Sequence, residues 1–172
     1  MANISKKLSP FDIAVRMLLV SIIFKMIVFF ASKQFTFYES IAIFINIFVL
    51  MTGVFLGIWN YRKSLNAPQS FTDYLKEGMK VAALYAILMT AFVYVYYTFI
   101  DSTYFYLKLA KQSALLEESG RATQEIKQAT ETMKVVLTPF FQSTITLIGF
   151  LLLGSFYASI ITFLLRKFKP GF

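Results

Sequence analysis

Four stretches of this chain are apolar on every side for about the length of a bilayer crossing, and together they make up about half of it. Ile41–Trp59 is nineteen residues, Val81–Ile100 twenty and Ser143–Leu165 twenty-three, and none of the three contains an acidic or basic side chain. At about 1.5 Å per helical residue, each can cross a hydrocarbon core of about 30 Å. The first run, Ile13–Ala31, also has nineteen residues but includes Arg16 and Lys25. A β-barrel would alternate apolar and polar residues at every second position, which these runs do not. The reading is therefore all-α: an integral membrane protein with four helices, spanning about residues 11–31, 41–59, 81–100 and 143–165.

Composition leads to the same class independently. With 58 % apolar and 15 % charged residues, the chain is far more apolar than an average soluble domain. It has neither cysteine nor histidine, so thiolate metal sites, disulfides and the usual nucleophile–base pairs have no components. The nine carboxylates are scattered over loops and helix ends. No catalytic residues, cofactor or metal are expected.

The basic residues set an orientation. Lys6, Lys7, Arg62, Lys63, Lys76, Lys80, Arg166, Lys167 and Lys169 fall on one side of the four crossings, while only Lys33 lies between the first two. Between the third and fourth, Lys108, Lys111, Arg121, Lys127 and Lys134 are offset by five acids. By the positive-inside rule both termini are expected in the cytoplasm, and the long segment in the periplasm. The net charge of +8 then reflects topology, and no nucleic-acid partner is expected. The first run is read as a retained helix because Phe29 occupies a place where signal cleavage after Ala31 would require a small residue.

Local signals mark the helix starts. Ser9-Pro10-Phe11-Asp12 offers an N-cap serine, a proline at the first helical position and an acid at the third, and Ser70-Phe71-Thr72-Asp73 repeats this arrangement after a turn at Asn66-Ala67-Pro68. Asp12 and Arg16 stand four apart and can pair. Gly53 and Gly57 share a stripe with Asn46, and Gly154 and Ala158 form a second small-residue face, so both are expected to pack closely against other helices. Gly78 is a possible bend. With no strong breaker before Ser119-Gly120, the third helix is expected to run on past Ile100. Ala122, Ile126, Ala129, Met133 and Val136 trace an amphipathic stripe on the return. Residues 101–138 should thus form a periplasmic helical hairpin, with Ala110 near Ala129, Ala114 near Ile126 and Leu107 near Met133. Two amphipathic helices lying flat on the outer leaflet are the other reading.

Gly57-Ile58-Trp59-Asn60-Tyr61-Arg62, the following Ser70-Phe71 and Gly78, the charged segment ending at Pro139 and the glycine-containing last crossing together resemble the bacterial domain-of-unknown-function family 4199. The resemblance covers almost the whole chain. Ser64 stands where an acid is expected and Pro68-Gln69 where a glycine precedes Ser70, which leaves that turn's geometry open. The resemblance implies a four-helix inner-membrane protein of Gram-negative bacteria without an assigned activity, and no catalytic residues carry over.

One place could hold chemistry. A hairpin of the first two crossings puts Lys25 and Asn46 at similar depth, with Tyr94, Tyr96, Tyr97 and Asp101 of the third helix near that level. The candidate polar site is thus Lys25, Asn46, Tyr94, Tyr97 and Asp101, because an ionisable group inside a membrane requires compensation. Lys25 could instead snorkel to the headgroups. Two function classes follow: an interaction or accessory subunit whose partners are the bilayer and other membrane subunits or further copies of itself, and a small transporter or lipid-handling protein using the Lys25 pocket. Transporters usually show internal repeats or interrupted midplane helices. Neither is visible, which favours the subunit.

Overall fold

The computed structural model describes residues 8–64, 69–120 and 122–167. These form six α-helices and no strand, in the order α1 (Pro10–Phe30), α2 (Phe37–Lys63), α3 (Phe71–Val95), α4 (Tyr104–Glu118), α5 (Thr123–Val136) and α6 (Pro139–Lys167). A five-residue π-helical turn, Tyr96–Ile100, prolongs α3. Four helices are long and apolar enough to cross a membrane: Pro10–Phe30, Phe37–Lys63, Phe71–Ile100 and Pro139–Lys167. Each of the last three is longer than its apolar run, because capping and polar residues add turns at the ends. The anticipated turn at Asn66-Ala67-Pro68 and the basic residues Lys6, Lys7, Arg121 and Lys169 lie outside the described residues.

The helix starts obey local chemistry. The Ser9 hydroxyl accepts the Asp12 N–H at 3.1 Å and the Asp12 carboxylate accepts the Ser9 N–H at 3.1 Å, a complete capping box. At α3, Ser70 Oγ accepts the Asp73 N–H at 3.2 Å. At α6, Thr138 Oγ1 accepts the Phe141 N–H at 3.2 Å, so Thr138-Pro139 forms a cap and first helical residue. Between α1 and α2 the chain turns at Ser32, whose φ of 54° lies in the left-handed region.

The chain divides into two compact units, one of Met1–Leu88 with Ile148–Phe172 and one of Met89–Leu147. In the first, small residues set the spacing of the helices. An added Cβ on Gly57 would lie 2.6 Å from Val81 Cγ2 of α3, and one on Gly154 only 2.5 Å from Ala82 Cβ. Gly53 faces Met17 and Val81, and Gly78 faces Ile58 and Ala158, so Gly78 is a contact point between α2, α3 and α6. Val54, Ile58, Val81, Ala82, Tyr85, Ala86 and Ala158 fill the core.

One end of this unit is tied by the last two turns of α2. Asn60 Nδ2 donates to the Leu8 carbonyl before α1 at 2.7 Å, the Tyr61 ring meets the Tyr74 ring of α3 edge-on, and Arg62 Nη1 donates to the Leu165 carbonyl in the last turn of α6 at 2.6 Å. The guanidinium thereby covers an orphan carbonyl at the negative end of that helix. Trp59 stacks on Phe55, and Lys63 Nζ stands 5.1 Å from its ring centre.

In the second unit the chain departs from the sequence reading. The third helix does not run on: it widens into the π turn and breaks at Asp101, whose N–H reaches back five residues to the Tyr96 carbonyl at 2.8 Å. No proline or glycine causes this. The break lets Tyr97 meet Tyr104 and Phe105 at ring-centre distances of 4.8 and 4.7 Å, a packing gain that local propensity does not report. Gly120, at φ 71°, makes the turn into α5, and α4 packs on α5. The inward stripe of α5 is Ile126, Ala129, Met133 and Val136, but α4 meets it with Phe105, Leu109, Ser113 and Leu116. Leu107, Ala110 and Ala114 are exposed, so the register with Ala110 opposite Ala129 is not adopted. The face with Phe105, Leu109 and Leu116 buries more apolar area than one built on Leu107, Ala110 and Ala114.

Candidate functional site

The five residues singled out by sequence fall in both units. Lys25 and Asn46 belong to the first, and Tyr94, Tyr97 and Asp101 to the second.

In the first unit, Lys25 of α1 finds an acid that the sequence reading did not assign to it. Its Nζ lies 3.7 Å from Glu39 Oε1, and the two side chains keep 13 % and 19 % of their surface. Glu39 precedes the apolar run beginning at Ile41, but α2 starts at Phe37 and places it in the first helical turn. There the helix dipole favours a carboxylate. The signal was available: Lys25 and Glu39 are each seven residues from the turn at Ser32. Asn46 lies two turns further along the stripe of Glu39, and its Oδ1 is buried without a hydrogen-bond partner. One turn from Lys25 along α1, Ser21 shares a 2.7 Å hydrogen bond with the Tyr85 hydroxyl, with Ser21 wholly buried. The inner faces of α1, α2 and α3 therefore carry a polar stripe of Ser21, Lys25, Glu39, Asn46 and Tyr85 through apolar surroundings. Glu39, Ser21 and Tyr85 were not singled out by sequence.

In the second unit, Tyr94 is exposed, while Tyr97 and Asp101 are buried. The Tyr96 hydroxyl donates to Asp101 Oδ2 at 3.1 Å. Around it Tyr96, Tyr97, Tyr104 and Phe105 touch ring to ring. Lys108 Nζ donates to the Tyr104 hydroxyl at 3.1 Å and stands 5.2 Å from the same ring's centre. On the hairpin's surface, the Lys134 ammonium lies 2.7 Å from Glu131 Oε1 and holds that carboxyl below its usual range. Both groups are solvated, so the pair adds little stability. Among the described residues no group of three metal-ligating side chains occurs.

A family described as protein of unknown function (DUF4199) matches residues 13–167. No curated protein and no solved structure matches the chain. The match begins in α1, ends with the last residue of α6 and takes in both the Lys25–Glu39 pair and the Asp101 cluster, so this chain belongs to the DUF4199 family.

Proposed function

We propose that the protein is a non-enzymatic accessory or interaction subunit of a membrane protein complex, held in a bacterial inner membrane by four helices with both termini in the cytoplasm. The observation that carries this reading is the α4–α5 hairpin. It lies outside the four apolar spans, α5 has no buried residue, and its outward face presents Gln124, Glu125, Lys127, Gln128, Glu131 and Lys134. A polar helical face without chemistry of its own suits a protein partner. The small-residue faces of α2 and α6 are taken up within the first unit, so they are not the partner surface. Orientation is supported by Arg62, Lys63, Lys76, Lys80, Arg166 and Lys167, which cluster at the end tied by Asn60, Tyr61 and Arg62.

The test is affinity recovery of the tagged protein from native membranes in mild detergent, wild type against a variant with Glu125, Lys127, Glu131 and Lys134 all changed to serine. One protein recovered in fixed ratio with wild type and lost from the variant is the expected result. Recovery of an isolated chain, or of the same companions with both proteins, overturns the reading. A second reading, a small transporter or lipid-handling protein, is favoured by the polar stripe at Lys25 and the unpartnered Asn46 oxygen.

A further inference from the structure

Asp101 directly follows the last residue of the span Phe71–Ile100 and keeps only 7 % of its surface exposed. Its carboxylate accepts a phenol O–H from Tyr96, and among the described residues no ammonium or guanidinium lies within 4.0 Å of it. A carboxylate removed from water in this way has no counter-charge beside it. Three residues earlier, Thr98 Oγ1 is buried with no hydrogen-bond partner. An unpartnered hydroxyl on the π turn and a carboxylate with no cation beside it at the turn's C-cap thus lie three residues apart, and a π turn often marks a functional position. The rings of Tyr96, Tyr97, Tyr104 and Phe105 beside them attract cations through their faces, and the cluster already holds one ammonium, that of Lys108 over Tyr104.

What cation reaches this place? A residue just past the end of an apolar span lies at headgroup level. Phe99 and Tyr106, close to Asp101 in sequence, are each 74 % exposed, as aromatic side chains at that boundary are. We propose that Asp101 and Thr98 form a binding site for the primary ammonium of an aminophospholipid headgroup of the ethanolamine type. A primary ammonium has three N–H donors and can bond to both oxygens, whereas a quaternary ammonium has none. The phosphate of the same headgroup is negatively charged, and α4, the helix that follows, carries Lys108 and Lys111. The site stands independently of the subunit reading, since it needs no protein partner.

The test uses the full chain, purified and delipidated in detergent, titrated with phosphatidylethanolamine, phosphatidylcholine or phosphatidylglycerol of matched acyl chains and read as lipid adducts by native mass spectrometry. Phosphatidylethanolamine should bind at least tenfold more tightly than the other two. Asp101→Asn should abolish that preference and Thr98→Val should weaken it several-fold, while Glu117→Gln leaves it unchanged. Equal binding of the three lipids, or a preference that survives in Asp101→Asn, overturns the proposal. Should Asp101→Asn lose its helical circular dichroism, Thr98→Val decides: an unchanged preference there rejects the site. Displacement of the lipid by millimolar free ethanolamine would assign the pocket to a soluble amine and reject the lipid.

Discussion

Lys25 and Glu39 bring opposite charges into apolar helix, and each makes the other tolerable. A lone ammonium or carboxylate at such depth costs up to about 3 kcal/mol on insertion scales, whereas the pair is neutral. Lys25→Leu and Glu39→Gln should each lower the thermal unfolding midpoint in detergent, and the double variant should recover most of the loss. The expected coupling is about 1–3 kcal/mol. Additive losses in a double-mutant cycle would mean that Lys25 is served by the headgroups and that its distance to Glu39 carries no energy. Lys25 was legible in the sequence because a charge inside an apolar run requires compensation, by a partner or by the headgroups. Glu39 was not, because it precedes its run and becomes helical only when α2 begins at Phe37. Ser21 and Tyr85 were invisible for another reason: hydroxyls are common in membrane helices, and only the fold brings two that are sixty-four residues apart within 2.7 Å.

At the level of elements, starts and stops separate cleanly into local and non-local causes. Ser9 with Asp12, and Ser70 with Asp73, announce α1 and α3 because both partners of the cap lie within one turn. The break at Asp101 has no such mark, since it depends on aromatic rings that meet only after the chain has turned. The glycines divide in the same way. Gly154→Ala should destabilise by about 1–3 kcal/mol through overpacking against Ala82. Gly149, with nothing within 4 Å of an added Cβ, should accept alanine at no loss, or with a gain of up to about 1 kcal/mol from helix propensity. Equal shifts in unfolding midpoint for the two would contradict the α3–α6 packing. For the hairpin, Ser113 Oγ and Thr130 Oγ1 are 3.4 Å apart, so cysteines at these positions should oxidise to a disulfide within one chain. Cysteines at Ala110 and Ala129 should not. The reverse outcome would restore the register in which α4 turns its alanines inward.

For the whole molecule, the four apolar helices were readable because each run is long and continuous, while their partners were not, since periodicity gives a face and never its neighbour. Membrane orientation is testable with two cysteines. In intact spheroplasts a membrane-impermeant thiol reagent should label Ser119→Cys, beside the Gly120 turn, and leave Ser64→Cys, at the end of α2, protected. Labelling of Ser64→Cys alone would invert the topology. The tie between Arg62 and Leu165 bears on how the protein is made. Its donor and acceptor are 103 residues apart, so at about 5–20 residues per second the ribosome delivers the carbonyl about 5–20 s after the guanidinium. Until then the bond that ties α2 to α6 cannot form. A nascent chain stalled short of Leu165 would therefore present α2 without its tie to α6.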